Sequence, residues 1–186
     1  MSQNNQLAQS IGTAFTKEDA YRTLEIINTW ISNIDTKVSF ALSIAGVLIG
    51  FVFSKGMPSA FKRVGEVSKL AELNGGEIIA AILVCALYIV SFISILYFML
   101  AILARIKNSS NVQSIFFFGS VANQNLLDYQ AKLNQMSEKD IIEDLEEQIH
   151  TNSLICSKKA KYYNIGVKCL VVYLILWFIC ISFGLI

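Results

Sequence analysis

The chain has 186 residues, 54% of them hydrophobic and 16% charged, with a formal net charge of +1. That balance gives no electrostatic footprint for a nucleic-acid polymer. The apolar residues fall in three blocks instead of recurring periodically, which excludes an ordinary soluble domain and predicts an all-α integral membrane protein: three transmembrane helices with a small cytosolic helical domain formed by extensions of the spans.

Residues 1–16 are polar, with neither a basic start nor an early apolar core, and are expected to be a disordered amino terminus, not a cleavable signal peptide. From Lys17 the pattern changes. Ala20, Leu24, Ile27, Trp30 or Ile31 and Ile34 recur at steps of three and four, so residues 17–37 are expected to form a cytosolic amphipathic helix. No proline or glycine separates it from the first span, 38–53, which makes one long helix entering the bilayer near Asp35. Gly46 and Gly50 form a GxxxG step continued by Ser39 and Ser43, a small-residue face suited to helix packing within one subunit or between subunits.

Residues 54–77, with the sole proline, Pro58, are expected to be an external loop that has room for a short surface helix. The second span is 78–104. Residues 105–165 form the one sizeable polar region, a cytosolic helical sensor, and the third span is 166–186. Within the polar region Ser137 and Asp140 have the spacing of a capping box, and no helix breaker follows before Gly166. The loop 54–76 carries four of the 15 basic residues, Lys55, Lys62, Arg63 and Lys69. The rest lie in the amino-terminal segment and 105–168, which predicts a cytosolic amino terminus.

Chemistry-bearing clusters are sparse. The four cysteines form no CxxC pair and stand away from His150, so neither a metal site nor a disulfide framework is expected, only reduced thiols. The acids of EDLEE, Glu143 to Glu147, have no nucleophile at a useful spacing and read as a solvated helix face, so no catalytic residue is assigned. SIFFFGSVA, residues 114–122, offers a membrane-interface wedge, a small helical core or a stacking surface, with Gly119 expected at a turn. Lys158, Lys159 and Lys161 suit membrane-surface anchoring or attraction of a phosphate. Lys37 can snorkel to headgroups, but a carboxylate cannot, so Asp35 is expected to pair with Lys37, Arg105 or a lysine of 158–161. Such a pair, where cytosolic helices meet spans, would couple ligand state to membrane state.

Three segments together carry a resemblance. WISNIDTKVS at 30–39, IFFFGSVA at 115–122 and EDLEEQIHTNSLICSKKAKY at 143–162 resemble, in order and spacing, the transmembrane effector family of Pycsar anti-phage systems. The matching features are a W-x(4)-D-x-K step, an FFG-type segment after the second span, and a D-L-x-x-Q-I-x-x-x-S-x-I-x-x-K helix. The matched positions are Trp30, Asp35, Lys37, Phe117, Phe118, Gly119, Gln148, Ser153 and Lys158. The resemblance implies a non-enzymatic, multi-pass protein of the bacterial inner membrane. A cognate cyclase would supply its ligand, the cyclic pyrimidine mononucleotide cCMP or cUMP; no cofactor is implied. Binding in the cytosol would impair membrane integrity and abort the infection. On that reading Lys158 or Arg105 would meet the phosphate, Phe117, Phe118 or Tyr129 would stack on the base, and Gln148 with Asn152 would read its edge. Trp30, Asp35 and Lys37 would couple the ligand to the membrane, and completion of a pocket by several copies makes a homo-oligomer expected. The alternatives are a constitutive pore former of the toxin or holin kind, or an effector gated by another nucleotide messenger.

Overall fold

The computed structural model describes residues 15–54, 56–66, 73–104 and 114–186; the expected disordered segment falls, but for its last two residues, outside them, as does Arg105. The described residues form six helices and no strand: α1 Lys17–Ser54, α2 Ser59–Glu66, α3 Gly75–Leu103, α4 Phe118–Ala122, α5 Leu126–Gln135 and α6 Glu138–Ser182. Three of these, α1, α3 and α6, are long and apolar enough to cross a membrane. α1 joins the amphipathic stretch to the first apolar run without a break, over 38 residues, about 57 Å at the helical rise. α6 runs 45 residues, straight through Gly166.

Side chains close the helix starts that the chain must satisfy. At α1, Asp19 N–H donates to Thr16 Oγ1 (3.2 Å) while Thr16 N–H donates back to Asp19 Oδ2 (3.1 Å). Asn74 and Glu77 make the same reciprocal pair at α3. At α6 it is Ser137 and Asp140, the spacing singled out in the sequence. Hydrogen bonds from the Ser137 side chain and backbone hold the Asp140 carboxyl below the usual aspartate range, and Thr16 does the same for Asp19.

The chain divides into two compact units. One comprises Met1–Ser32 with Arg105–Cys156, the other Asn33–Ala104 with Ser157–Ile186. In the second unit the buried positions follow heptad steps on every long helix. They are Ile34, Val38, Ala41, Ala45 and Val52 on α1, and Val84, Leu87, Ser91, Ser94, Phe98 and Ala101 on α3. On α6 they are Lys159, Gly166, Tyr173 and Cys180, each seven residues from the last, with Leu170 between them. Steps of three and four keep one seam of each helix facing its neighbours. The seams are rich in Ala, Ser and Gly, the residues that let helices approach where water provides no hydrophobic drive.

α2 lies in the connection between the first two spans. Its Ser59 hydroxyl reaches the carbonyls of Gly184 (3.3 Å) and Leu185 (3.1 Å), which brings that connection and the carboxyl terminus to one end of the bundle. This is the closure that three spans require. Gly46 and Gly50, expected to pack within one subunit or between subunits, have open space where a Cβ would stand in the single chain. Gly166 instead takes the close approach. A Cβ there would stand 2.7 Å from the Phe98 ring, and its carbonyl accepts the Ser94 hydroxyl at 3.0 Å.

In the first unit, Ala20 and Leu145 are fully buried and Ile115 nearly so. The phenylalanine run is held by three polar anchors. Ile115 N–H donates to Asp144 Oδ2 (2.8 Å), the Ser114 hydroxyl accepts from Phe116 and Phe117 N–H (3.0 Å each), and Tyr129 O–H donates to the Ile115 carbonyl (3.3 Å). Asp144 therefore departs from the solvated-face expectation, although Glu143 keeps to it in a 3.6 Å surface pair with Lys139.

Candidate functional site: an amide-lined cavity

With their backbone fixed in this way, Phe116, Phe117 and Phe118 form one wall of a cavity of about 440 Å³ in the first unit. Leu24 and Asn28, one turn apart on α1, form a second wall. Gln148, Asn152 and Ile155, on one face of α6, form the third. The volume is within the range of small-molecule sites, which are mostly apolar with a few placed polar groups.

The polar groups here are three amides. Asn152 Nδ2 donates to Asn28 Oδ1 at 2.9 Å. Gln148 is only 5% exposed and its Nε2 has no partner. A buried amide left unsatisfied costs on the order of 1–3 kcal/mol, and this one presents its open donors at the cavity wall. The other buried unpartnered side-chain group among the described residues, the Tyr173 hydroxyl, lines a gap of only about 10 Å³ among the spans, too small for any ligand. The rings of Phe117 and Phe118 lie 4.9 Å apart at 51°, and Phe116 is fixed edge-on to Tyr21 at 5.6 Å. Gly119 is inside α4, not at a turn. A Cβ on it would fall 2.6 Å from the Phe117 ring, so glycine is what lets that ring lie over the helix start.

The sequence-derived residues thus separate. Phe117, Phe118, Gln148 and Asn152 converge on the cavity. Tyr129 does not line it and instead braces Ile115. Lys158 is exposed and not among the lining residues; Arg105 lies outside the described residues. Leu24, Asn28, Phe116 and Ile155 were not singled out beforehand as site residues, although the helical period links Leu24 with Asn28 and Ile155 with Gln148 and Asn152.

A second polar feature belongs to the other unit. Lys159 Nζ, 6% exposed as a residue, donates to Asp35 Oδ1 at 2.5 Å and to the Ile102 carbonyl at 3.3 Å. Of the partners expected for Asp35, it is therefore Lys159 that takes the role, while Lys37 is exposed. Residues two apart on a helix point away from each other, so Lys37 could not turn to Asp35. Trp30 is 58% exposed.

Residues 19–186 match the Pycsar effector protein domain family. The chain is also 32% identical over 190 residues, 92% of each protein, to the Pycsar effector protein GmPycTM of Gulbenkiania mobilis. No solved structure gives a significant match. With three helices able to cross a membrane and a family match that covers all but the first two residues of them, the chain belongs to the Pycsar effector family and is a multi-pass membrane effector of anti-phage defence.

Proposed function

We propose that the chain is a non-enzymatic receptor in the bacterial inner membrane, with its amino terminus in the cytosol. It binds cCMP or cUMP from a cognate cyclase and then impairs membrane integrity, aborting the infection. The observation that carries this reading is the cavity itself: aromatic rings on one wall and an unpartnered buried amide on another are what a flat, hydrogen-bonding base requires. Family membership supports the same reading.

The response is a population shift, since ligand can only move an equilibrium by its difference in affinity between two states. A change from a nearly closed to a nearly open population requires about 10⁴-fold tighter binding to the active state. Gly46 and Gly50 are exposed and unpacked in the single chain, which favours contact between copies and an oligomeric active form.

Purified protein in dye-loaded liposomes is expected to release dye with cCMP or cUMP and not with cAMP or cGMP. Release without nucleotide would identify a constitutive pore former instead, and release with none of the four would remove the reading. Phe117→Ala is expected to weaken binding of the active nucleotide about tenfold, the scale of one lost base–aromatic stack. Gly119→Ala, which drives a methyl into the Phe117 ring, should weaken it in the same direction. Calorimetry on both variants checks this; unchanged affinity in both would exclude Phe117 as the stacking surface.

A further inference from the structure

The three amides of the cavity differ in what they have left to offer. Gln148 Nε2 carries two unengaged N–H donors and is held by burial on α6. Asn28 and Asn152 share one N–H···O bond. That bond uses an Asn152 donor and leaves the Asn152 carbonyl as an acceptor toward the cavity. If both side chains turn by half a rotation, Asn28 donates and Asn152 presents its amide N–H instead. The amide is symmetric in shape and opposite in hydrogen-bonding sense, so the pair has two arrangements of similar fit.

Cytosine and uracil differ in a corresponding way. Both carry a carbonyl oxygen at position 2. At position 4, cytosine bears an amino donor and uracil a carbonyl acceptor. We infer that Gln148 donates to the position-2 carbonyl common to both bases, and that the Asn28–Asn152 pair meets position 4 in either of its two senses, so that the wild-type cavity takes cytosine or uracil. The arrangement in which Asn152 donates to Asn28 accepts from cytosine, and the turned arrangement donates to uracil. Asn28 is then a positioning residue: it partners whichever end of the Asn152 amide is turned away from the base. This inference rests on the reading that the ligand is a cyclic pyrimidine mononucleotide.

Asn28→Asp separates the two arrangements. A carboxylate only accepts, so Asn152 must donate to it and keep its carbonyl toward the base. Calorimetry on the full-length protein in detergent, with cCMP and cUMP as probes, is expected to show the affinity ratio moving about tenfold toward cCMP. The added negative charge weakens both ligands together, so the ratio, not either affinity, reports the effect. Gln148→Leu is expected to weaken both about tenfold or more with their ratio unchanged. It should also raise the thermal stability of the ligand-free protein, because a buried unsatisfied amide is replaced by an apolar group; this separates a lost contact from a failure to fold. A wild type that binds cCMP or cUMP, with an Asn28→Asp ratio that does not move or a Gln148→Leu variant that binds as well as before, overturns this assignment and leaves the functional reading standing. A wild type that binds neither nucleotide overturns both.

Discussion

Asp35→Ala is expected to destabilise the protein by about 3–5 kcal/mol, more than Lys159→Met does, although the two substitutions break the same ion pair. The asymmetry comes from burial. The Lys159 side chain is 7% exposed, whereas that of Asp35 is 42% exposed. Removing the carboxylate leaves an ammonium in the seam with, among the described residues, the Ile102 carbonyl to face it. Removing the ammonium leaves a carboxylate that water still reaches, and it places a flexible apolar chain where the lysine stem was. The double variant Asp35→Ala with Lys159→Met should regain most of the loss, because no charge is then left buried.

Thermal unfolding in detergent checks the order. Asp35→Ala should unfold about 10 °C below wild type, on the usual scaling for a chain of this size, with the other two variants in between. An Asp35→Ala variant as stable as Lys159→Met, or a double variant worse than both singles, would show that burial of Lys159 does not set the energetics. The pair joins α1 to α6, two helices whose residues contribute to both compact units, so the same variants also test the coupling role. If the pair holds the resting arrangement, Asp35→Ala should release liposome dye without nucleotide.

How much of this was legible in the sequence depended on the solvent each segment faces. Outside the lipid, the rules for soluble helices worked: Ser137 and Asp140 cap α6, and Gln148 and Asn152 share one wall because they are one turn apart. Asn28 was not singled out because its role is conferred by a contact 124 residues away. Within the spans, the lipid-facing and packed faces are both apolar, so hydrophobic periodicity carries no signal. There the heptad spacing of the packed positions gives the orientation instead. Stepping back by sevens from Cys180 through Tyr173 and Gly166 reaches Lys159, which distinguishes it from Lys158 and Lys161 as the lysine that turns inward.

That distinction gives glycines in the spans opposite expected sensitivities. Gly166→Ala is expected to cost about 1–3 kcal/mol, while Gly46→Ala and Gly50→Ala are neutral or slightly stabilising in the single chain. A methyl at 166 would sit 2.7 Å from Cδ1 and Cε1 of Phe98, a ring with 0% exposure that packs 6.4 Å from Tyr163. The ring has nowhere to go, so α3 and α6 must separate, and the buried Ser94 bond to the Gly166 carbonyl stretches with them. Phe98→Leu removes the obstructing atoms. The double variant should therefore be more stable than the sum of the two singles predicts, by at least about 1 kcal/mol. Additive losses would show that the two residues do not clash as the geometry requires. Gly46 supplies the control, because open space surrounds it. If that face is reserved for a second copy, Gly46→Ile should leave the unfolding temperature in detergent unchanged and still abolish nucleotide-triggered dye release. A loss of single-chain stability at Gly46 equal to that at Gly166 would instead place both glycines in the same intramolecular packing.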